Sequence, residues 1–390
     1  MRPVLTATVF VLPYLSANAK IPSTPACPLP EEIVRLETEP GKTNYRRQYP
    51  IALSMQPKVQ EQVDKWLADG VIKIAPPNTA FNSPLLTVRK KNANGNYSDD
   101  IRVCIDPRHI NAILIKDRTD CFQLPLIAEL HQKMSAATLI TVLDLKQAFH
   151  RLPLAEEHRA LTAFTFNGQQ YQFCRAPFGL TPIPNHFQRV LTTLLHDLPY
   201  VTCFIDDLTI GTGPDIEEHI KCATTVIERL TSAKFILNVD KCHFMQTSVN
   251  ILGFTISHNS LSLDSRKVAN ALEWPIPKTG KDIQRFLGLA NYFRSHLPNF
   301  STMTAPLDKL RNEGSLEHIW TDKYLQAFRN IQTALSNAPV LSIPDMRHEL
   351  QLATDASNTG IGGVLYQIID DKTRYIGFAA RALSNHLLSF

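Results

Sequence analysis

The chain has 390 residues, of which 44% are hydrophobic and 19% charged, so its composition excludes a disordered or collagen-like protein and fits about two or three globular domains. Its formal net charge of +4 permits a nucleic-acid partner without requiring one. The seven cysteines include no C-x-x-C pair, which predicts free thiols in a reducing compartment and no zinc site.

The N-terminus carries two patterns. Arg2 is followed by an apolar run, Val4–Leu15, and by Ala17-Asn18-Ala19, which together resemble a secretory signal with its cleavage site. The rest of the chain has an intracellular character, so secretion is the less favoured interpretation. Residues 1–44 are predicted to form a poorly ordered leader, rich in proline and charge from residue 20 onward. No stretch is long and apolar enough to predict a membrane span.

The first periodic element is a helix. Val59, Val63, Trp66 and Leu67 fall on one face at helical spacing, and Gly70 is a good stop, which predicts a helix over Gln56–Gly70. Short strands are predicted after it. They cover Val71–Ala75, Leu85–Val88 and Ile101–Ile105, and the polar loop Arg89–Tyr97 joins the last two.

Strands, turns and helices alternate through the middle of the chain. An apolar strand ends in Asp144, the dipeptide Asn167-Gly168 marks a hairpin, and Pro182 opens a helix. Further elements are predicted in order: the hairpin Tyr200–Ile210, a helix over Ile216–Leu230, a strand over Val249–Ile256 and the short strand Leu261–Leu263.

Helices separated by prolines follow Asp264, and strands return after Pro344. Thr279 and Asp282 resemble a capping box with Asp in place of Glu. A second helix is predicted over Thr321–Ser336. The strands are predicted at Glu349–Thr354, Gly363–Gln367 and Arg374–Ala379.

Three aspartates at the ends of apolar strands carry the strongest chemical signal. Asp206 and Asp207 interrupt the run Tyr200–Ile210, and Asp144 ends an earlier strand. An Asp pair at a hairpin tip is usually only a turn, because Asp suits turns. Together with Asp144, the pair predicts a site for two Mg²⁺ ions about 4 Å apart that supports phosphoryl transfer. Adjacent hairpin residues face opposite sides, so Asp144 and Asp206 are the expected principal ligands and Asp207 a secondary one.

A cluster of cations precedes these carboxylates. Arg89, Lys90 and Lys91 lie on the polar hairpin, and Arg102 lies on the returning strand. Two interpretations stay open on the sequence alone. The hairpin is either a clamp over a nucleotide triphosphate or an ordinary solvated loop.

Three motifs occur in an order that resembles a known family. They are Leu143-Asp-Leu-Lys-Gln-Ala-Phe-His150, Ala176-Pro-Phe-Gly-Leu180 and Phe204-Ile-Asp-Asp207. They resemble the palm motifs of reverse transcriptases in gypsy-like LTR retrotransposons, although the family usually has Tyr at the position of Phe204. The resemblance runs from about residue 45 to the C-terminus.

The resemblance implies an α+β fold of the right-hand polymerase type. Fingers and a palm with an antiparallel sheet would occupy residues 45–262, a helical thumb or connection residues 263–345, and a partial RNase H-like α/β domain residues 346–390, after the leader 1–44. The implied function is an RNA-directed DNA polymerase that extends a primer 3′-OH. Its partners would be an RNA template, an RNA/DNA or DNA/DNA primer-template and dNTPs, without a membrane or a defined oligomeric state. The implied location is the cytoplasm, virus-like particles or the nucleus.

The resemblance also assigns roles to individual residues. Asp144, Asp206 and Asp207 would bind two Mg²⁺ ions, which Mn²⁺ can replace, with the carbonyl group of Leu145 as an extra ligand. Phe149 would be the steric gate that excludes a ribose 2′-OH, although its pattern also fits a plain core residue. The remaining substrate contacts would be Arg89, Lys91 and Arg102 at the triphosphate, and Phe178 and Gly179 beneath the dNTP and the template base.

The C-terminal residues resemble the first hairpin of an RNase H domain. Asp355 would be the first carboxylate of its two-metal site. That site needs more acids, and only Asp370 and Asp371 follow, in an apparent turn. We therefore expect the domain to be truncated and RNase H activity to be absent.

Three functions remain open at this level. The leading one is an active polymerase cut from a retrotransposon Pol polyprotein. The second is a catalytically inactive or domesticated fragment that binds nucleic acid without polymerising. The third is an unrelated metal-dependent α/β protein.

Overall fold

The structure is a computed structural model that describes residues 2–29, 32–91, 97–115, 120–134, 136–357 and 360–383. The side chains of residues 2–8 and of Lys91 lie outside that description. The chain divides into two compact units, and both are discontinuous in sequence. The first comprises residues 1–125, 141–210 and 215–245, and the second comprises residues 126–140, 211–214 and 246–390.

Helices and antiparallel strands follow one another along the described chain. The α-helices are α1 (Arg2–Ala19), α2 (Gln56–Ala68), α3 (Arg108–Asn111), α4 (Ile127–Lys133), α5 (Ile183–Leu195), α6 (Ile216–Ser232), α7 (Ser265–Leu272), α8 (Gly280–Tyr292), α9 (Phe300–Asp308) and α10 (Asp322–Ser336). Short 3₁₀ helices cover Leu53–Met55, Ala148–Arg151, Glu156–Thr162, Val239–Lys241 and Arg294–His296. The strands are β1 (Ile72–Ile74), β2 (Leu85–Lys91), β3 (Tyr97–Ile105), β4 (Leu139–Asp144), β5 (Phe164–Phe166), β6 (Gln169–Phe173), β7 (Val201–Phe204), β8 (Asp207–Thr212), β9 (His243–Gln246), β10 (Ser248–Ile251), β11 (Phe254–Ser257), β12 (Ser260–Leu263), β13 (Leu341–Ser342), β14 (Gln351–Ala356), β15 (Gly360–Ile369) and β16 (Lys372–Ala382).

The sheets of the first unit have two to four strands each. Strand order is β1-β6-β5 in one sheet, β2-β3 in a hairpin and β7-β8-β4-β9 in the sheet that carries the aspartates. The predicted hairpin turn at Asn167-Gly168 is confirmed, because both residues have the positive φ angles (47° and 78°) that a tight hairpin turn favours. The predicted helix at residues 56–70 is confirmed as α2, which buries Val59, Val63 and Trp66, whereas Leu67, predicted on the same face, is 43% exposed.

The prediction of one strand over Val249–Ile256 is wrong. The segment is a hairpin, β10–β11, with Ile251 paired to Phe254 across a two-residue turn. Leu252 and Gly253 have φ angles of 50° and 84°, so both occupy the left-handed region that this turn demands. The continuous apolar run hid the turn, because Leu252 is not a residue that marks a turn in a sequence.

The N-terminal residues differ from the poorly ordered leader and from the signal-like segment predicted for them. Helix α1 buries Val11 and Leu15, and the extended segment after it buries Val34 and Leu36 in the core of the first unit. Within the apolar run that resembles a signal, Val11 and Leu15 face the core, whereas Val9, Phe10 and Leu12 are exposed. None of the described helices is long and apolar enough to cross a membrane.

The second unit is built on α7–α10 and two small sheets. Its core includes Phe286, Phe293 and Phe328, all 2% exposed or less. The predicted capping box at the start of α8 is confirmed: the Asp282 N–H donates to Thr279 Oγ1 at 3.2 Å, and the Thr279 N–H donates to Asp282 Oδ2 at 3.0 Å. The second of its sheets, β14-β15-β16, corresponds to the three predicted C-terminal strands.

Candidate active site

The end of β4 and the β7–β8 turn bring two of the three aspartates to one cavity of about 330 Å³ in the first unit. Asp144 is the last residue of β4, and Asp206 lies in the two-residue turn between Phe204 and Asp207, which are paired. The other predicted residues in its lining are Leu145, Phe149, Phe178, Lys90 and Arg102.

Asp207 begins β8 and does not line that cavity. Its side chain is half-buried, and burial, followed by the charges of Asp206 and Asp144, raises its pKa above the usual range for a carboxyl. Burial is the main cause, and the two smaller ones mean that three carboxylates lie close enough to repel one another. Such a cluster is suited to a bound cation.

The β7–β8 turn is strained and is held by a buried glutamine. Ile205 has a φ angle of 56°, which is an outlier for a β-branched residue. Its N–H donates to Gln188 Oε1 at 2.6 Å, and Gln188 Nε2 donates to the Cys203 carbonyl at 2.9 Å. Gln188 is 1% exposed on α5. The apolar pattern of that helix concealed its role, so sequence reasoning missed this residue.

A lysine from a later segment also reaches the carboxylates. Lys241 Nζ lies 3.8 Å from Asp144 Oδ2, and both residues line the cavity. The segment is placed by backbone bonds, since the Asn238 N–H donates to the Asp144 carbonyl at 2.8 Å. Sequence reasoning missed Lys241, because it lies about a hundred residues from Asp144 and no local pattern connects the two residues.

The donor set fits a magnesium site that is completed by ligands from outside the protein. Within the described residues, no three or more His, Cys, Asp or Glu side chains form a ready-made metal cage. Mg²⁺ usually takes one or two carboxylates and fills its remaining positions with water and phosphate oxygens. Asp144 and Asp206 supply the carboxylates, the Leu145 backbone lies at the same cavity, and the mutual repulsion of the aspartates favours a cation.

An aromatic cluster forms one wall of the cavity. Phe149 is half-buried, with its ring centroid 5.1 Å from that of Phe178 and 5.3 Å from that of Phe187. Phe149 therefore contacts both the cavity and the core, so the two interpretations of it are compatible. His150 packs edge-on against Phe178 at 5.2 Å.

Two buried polar atoms at this cavity have no partner among the described residues. They are His150 Nδ1 and Gln62 Nε2, and both residues line the cavity. Burial, followed by the nearby charge of Arg175, lowers the pKa of His150 to about 4, so the imidazole is neutral at physiological pH. Unsatisfied buried polar atoms beside a cavity are suited to ligand contacts.

Only some of the predicted cations line the cavity. Arg102 and Lys90 line the cavity, whereas Arg89 does not, and the side chain of Lys91 lies outside the described part of the chain. Both lining cations are exposed on the β2–β3 hairpin.

Gly179 is exposed and does not line the cavity either, although Phe178 beside it does. It has a φ angle of 95°, and a Cβ placed there would lie 2.8 Å from Pro107 Cγ. Asn111 Nδ2 donates to its carbonyl at 3.0 Å. Glycine is therefore required at this position for a backbone reason.

Asp355 lies on β14 in the second unit, where its side chain is exposed. It borders a separate cavity of about 320 Å³. Its partner across the ladder is Gly362 of β15. No other carboxylate lines this cavity among the described residues.

Two family models match the chain. Residues 88–256 match the reverse transcriptase (RNA-dependent DNA polymerase) family, and residues 320–388 match the RNase H-like domain found in reverse transcriptase. The first match contains Asp144, Asp206, Phe149 and Phe178 of the cavity. The second contains Asp355.

The curated relatives are transposon polyproteins. The Pol polyprotein of transposon 297 from Drosophila melanogaster is 32% identical over 358 residues, which is 91% of this chain and 33% of that protein. The transposon Tf2-3 polyprotein from Schizosaccharomyces pombe is 30% identical over 377 residues, 94% of this chain and 27% of that protein. The chain thus spans about a third or less of these relatives.

Solved structures of similar fold include those of a foamy virus protein. The protease-reverse transcriptase in complex with an RNA/DNA hybrid has a TM-score of 0.78 and 24% identity, covering 94% of this chain and 48% of that one. A dRH form in complex with double-stranded DNA has a TM-score of 0.78 and 25% identity, covering 92% of this chain and 63% of that one. The predicted fold class is confirmed by these matches, whereas the gypsy-like subtype stays a prediction.

Proposed function

We propose that this chain, which carries a reverse transcriptase domain followed by an RNase H-like region and is related to transposon Pol polyproteins, is an RNA-directed DNA polymerase that extends a primer 3′-OH with dNTPs. One observation carries the proposal: Asp144 and Asp206 line the same cavity as an aromatic wall and four cations, Lys90, Arg102, Lys146 and Lys241. The proposed domain division remains a leader at 1–44, fingers and palm at 45–262, thumb or connection at 263–345 and RNase H-like residues at 346–390.

Asp144 and Asp206, with the Leu145 carbonyl group and the supporting charge of Asp207, would hold two Mg²⁺ ions, for which Mn²⁺ can substitute. When bound, such ions activate the attacking oxygen and stabilise the leaving oxygen of a phosphoryl displacement. Lys241 neutralises part of the charge of Asp144 across 3.8 Å, so it limits repulsion between the carboxylates before a cation arrives.

The remaining lining residues suit a nucleotide. Arg102 and Lys90 supply positive charge for a triphosphate, and their exposure on a hairpin allows them to move onto it. Phe149 presents an aromatic surface that is held from behind by Phe187, which suits a gate against a 2′-OH. The proposed partners, an RNA template with an RNA/DNA or DNA/DNA primer-template, agree with the nucleic acids bound by the foamy virus proteins.

The RNase H-like region is proposed to be inactive in this chain. Among the residues that the structure describes, Asp355 has no second carboxylate beside it in the cavity it borders. A two-metal hydrolytic site needs several acids around the scissile phosphate. The proposed cellular location is the cytoplasm, virus-like particles or the nucleus.

The test is primer extension on an RNA template with Mg²⁺ and all four dNTPs. The unmodified chain is expected to extend the primer, and the Asp206→Asn variant to show at least a hundredfold loss. Tight binding of the hybrid without extension by the unmodified chain would instead support a non-catalytic fragment.

A further inference from the structure

The N-terminal helix ends at a buried polar residue that bonds to another part of the first unit. Asn18 is 1% exposed. Its Nδ2 donates to Thr231 Oγ1 at 2.9 Å and to the Phe235 carbonyl at 2.8 Å, and its Oδ1 accepts from the Leu237 N–H at 2.8 Å. A buried amide that satisfies this many groups is a specific anchor, not a packing residue.

The segment 235–238, to which Asn18 bonds, is extended and has two edges. One edge presents the Phe235 carbonyl and the Leu237 N–H, and both bond to Asn18. The other edge pairs with residues 144–146: the Lys146 N–H donates to the Ile236 carbonyl at 2.7 Å, and the Asn238 N–H donates to the Asp144 carbonyl at 2.8 Å. The side-chain amide of Asn18 thus occupies the place that a neighbouring strand would take, because it offers the same donor and acceptor as a peptide group.

We propose that Asn18 is a positioning residue for the active site, which holds the segment 235–238 from one edge so that its other edge fixes the backbone of Asp144, Leu145 and Lys146. This inference rests on the proposed polymerase function. Only the segment 235–238 lies between Asn18 and residues 144–146. Leu237 of that segment forms an antiparallel bridge with Leu145. The same segment leads directly to Lys241, the cation beside Asp144.

The location of Asn18 also gives the signal-like pattern a different meaning. Ala17-Asn18-Ala19 resembles a cleavage site in sequence, but its central side chain lies in the protein interior. Removal of the helix by cleavage there would leave the Leu237 N–H and the Phe235 carbonyl without their partner. The helix is therefore an integral part of the fold of the first unit.

The test compares Asn18→Leu with the matched control Leu15→Ala. Leu15 lies one turn earlier on α1, is 5% exposed and contributes packing in the core. Hydrogen exchange is measured at the amides of Lys146 and Asn238, relative to those of β6, in the metal-free chain. The rate of single-nucleotide incorporation and the KM for dNTP are measured in parallel.

We expect Asn18→Leu to speed exchange at Lys146 and Asn238 about tenfold relative to β6, because two buried backbone groups lose their partner. The maximal incorporation rate should fall about tenfold or more, with KM little changed. Leu15→Ala should alter neither the relative exchange nor the rate. The proposal is overturned if both variants speed exchange at Lys146 and Asn238 equally relative to β6. It is also overturned if Asn18→Leu does not speed that exchange. If Asn18→Leu speeds exchange as expected but the unmodified chain incorporates no nucleotide, the polymerase function is overturned. The role of Asn18 in holding residues 144–146 would still stand.

Discussion

The side chain of Phe149 is the residue on which nucleotide selection is expected to depend. It lines the cavity on one side and packs on Phe178 and Phe187 on the other, so its position is fixed. A rigid ring can exclude a hydroxyl group by steric overlap, whereas a smaller side chain leaves room for it. The size of the Phe149 ring and its packing on Phe178 and Phe187 therefore both support its proposed role as a steric gate against a ribose 2′-OH.

Phe149→Val is expected to raise ribonucleotide incorporation relative to deoxyribonucleotide incorporation by about tenfold to a hundredfold, since discrimination between substrates that differ by one small group is typically of this order. The measurement is the ratio of kcat/KM for rNTP and dNTP. Phe164→Val is the control, because Phe164 is fully buried and lies outside the cavity lining. An unchanged ratio in Phe149→Val would show that this ring is only a core residue.

Gly179 is expected to be intolerant of alanine for two separate reasons. Its φ angle is 95°, and the added Cβ would meet Pro107 Cγ at 2.8 Å. Gly179→Ala should lower the free energy of unfolding by about 1–3 kcal/mol. Gly168→Ala is the matched control: it also has a positive φ angle, but no atom lies within 4 Å of its added Cβ. Denaturant unfolding of both variants separates the clash from the backbone cost, and an equal loss in the two would contradict the proposed clash.

At the scale of the element, the β7–β8 hairpin was the best-predicted part of the site. Its apolar strands and its position are visible in the sequence, and Asp206 lies at its tip as expected. The strain at Ile205 and the support from Gln188 were not visible, because a glutamine on an apolar helix gives no signal of the turn it holds. Long-range side-chain bonds of this kind depend on tertiary packing and not on local pattern.

Gln188→Leu is expected to lower the rate of nucleotide incorporation by about a hundredfold, because a displacement of about 1 Å at a reacting group costs this much. The variant leaves the Ile205 N–H without its partner, so the turn that carries Asp206 can relax. Single-turnover incorporation measures the effect. Gln332→Leu is the control, since Gln332 is 2% exposed and also bonds to backbone carbonyls, of Ala271 and Leu272, in the second unit. Equal loss in both variants would indicate general destabilisation in place of positioning.

The N-terminal segment illustrates the opposite outcome at the element scale. Its proline and charge content favoured disorder, yet it contributes Val34 and Leu36 to the core and supplies carbonyl groups to buried arginines. Arg151 Nη1 donates to the Pro25 carbonyl at 2.9 Å, and Arg175 Nη1 donates to the Ser23 carbonyl at 3.1 Å. Prolines favour an extended chain. Such a chain can either stay disordered or, as here, bond through its carbonyl groups to buried side chains. Composition alone does not separate these states.

At the scale of the whole molecule, the order of motifs predicted the fold class, whereas element spacing alone could not. The first and last of the three palm motifs lie about sixty residues apart, and no periodicity links them. What the sequence left out is mainly the contributions of distant segments to one cavity, such as Lys241 and Gln62. These residues carry no local signature, since their role is set by the path of the chain through the first unit.

The RNase H-like region should not cleave RNA in this chain. The RNA strand of a labelled RNA/DNA hybrid is expected to remain intact with Mg²⁺ over the time in which primers are extended. Asp355→Asn should behave as the unmodified chain does, because no described residue gives Asp355 a carboxylate partner in its cavity. Hybrid cleavage that is lost in Asp355→Asn would contradict this prediction.

The most direct measurement of the central claim is single-turnover incorporation of one dNTP on a preformed complex of the chain with a primed RNA template. The unmodified chain should add the nucleotide in the presence of Mg²⁺. Asp144→Asn should bind the hybrid with similar affinity and add the nucleotide at least a hundredfold more slowly. Tight hybrid binding by the unmodified chain without any incorporation would contradict the claim that this cavity is a polymerase active site.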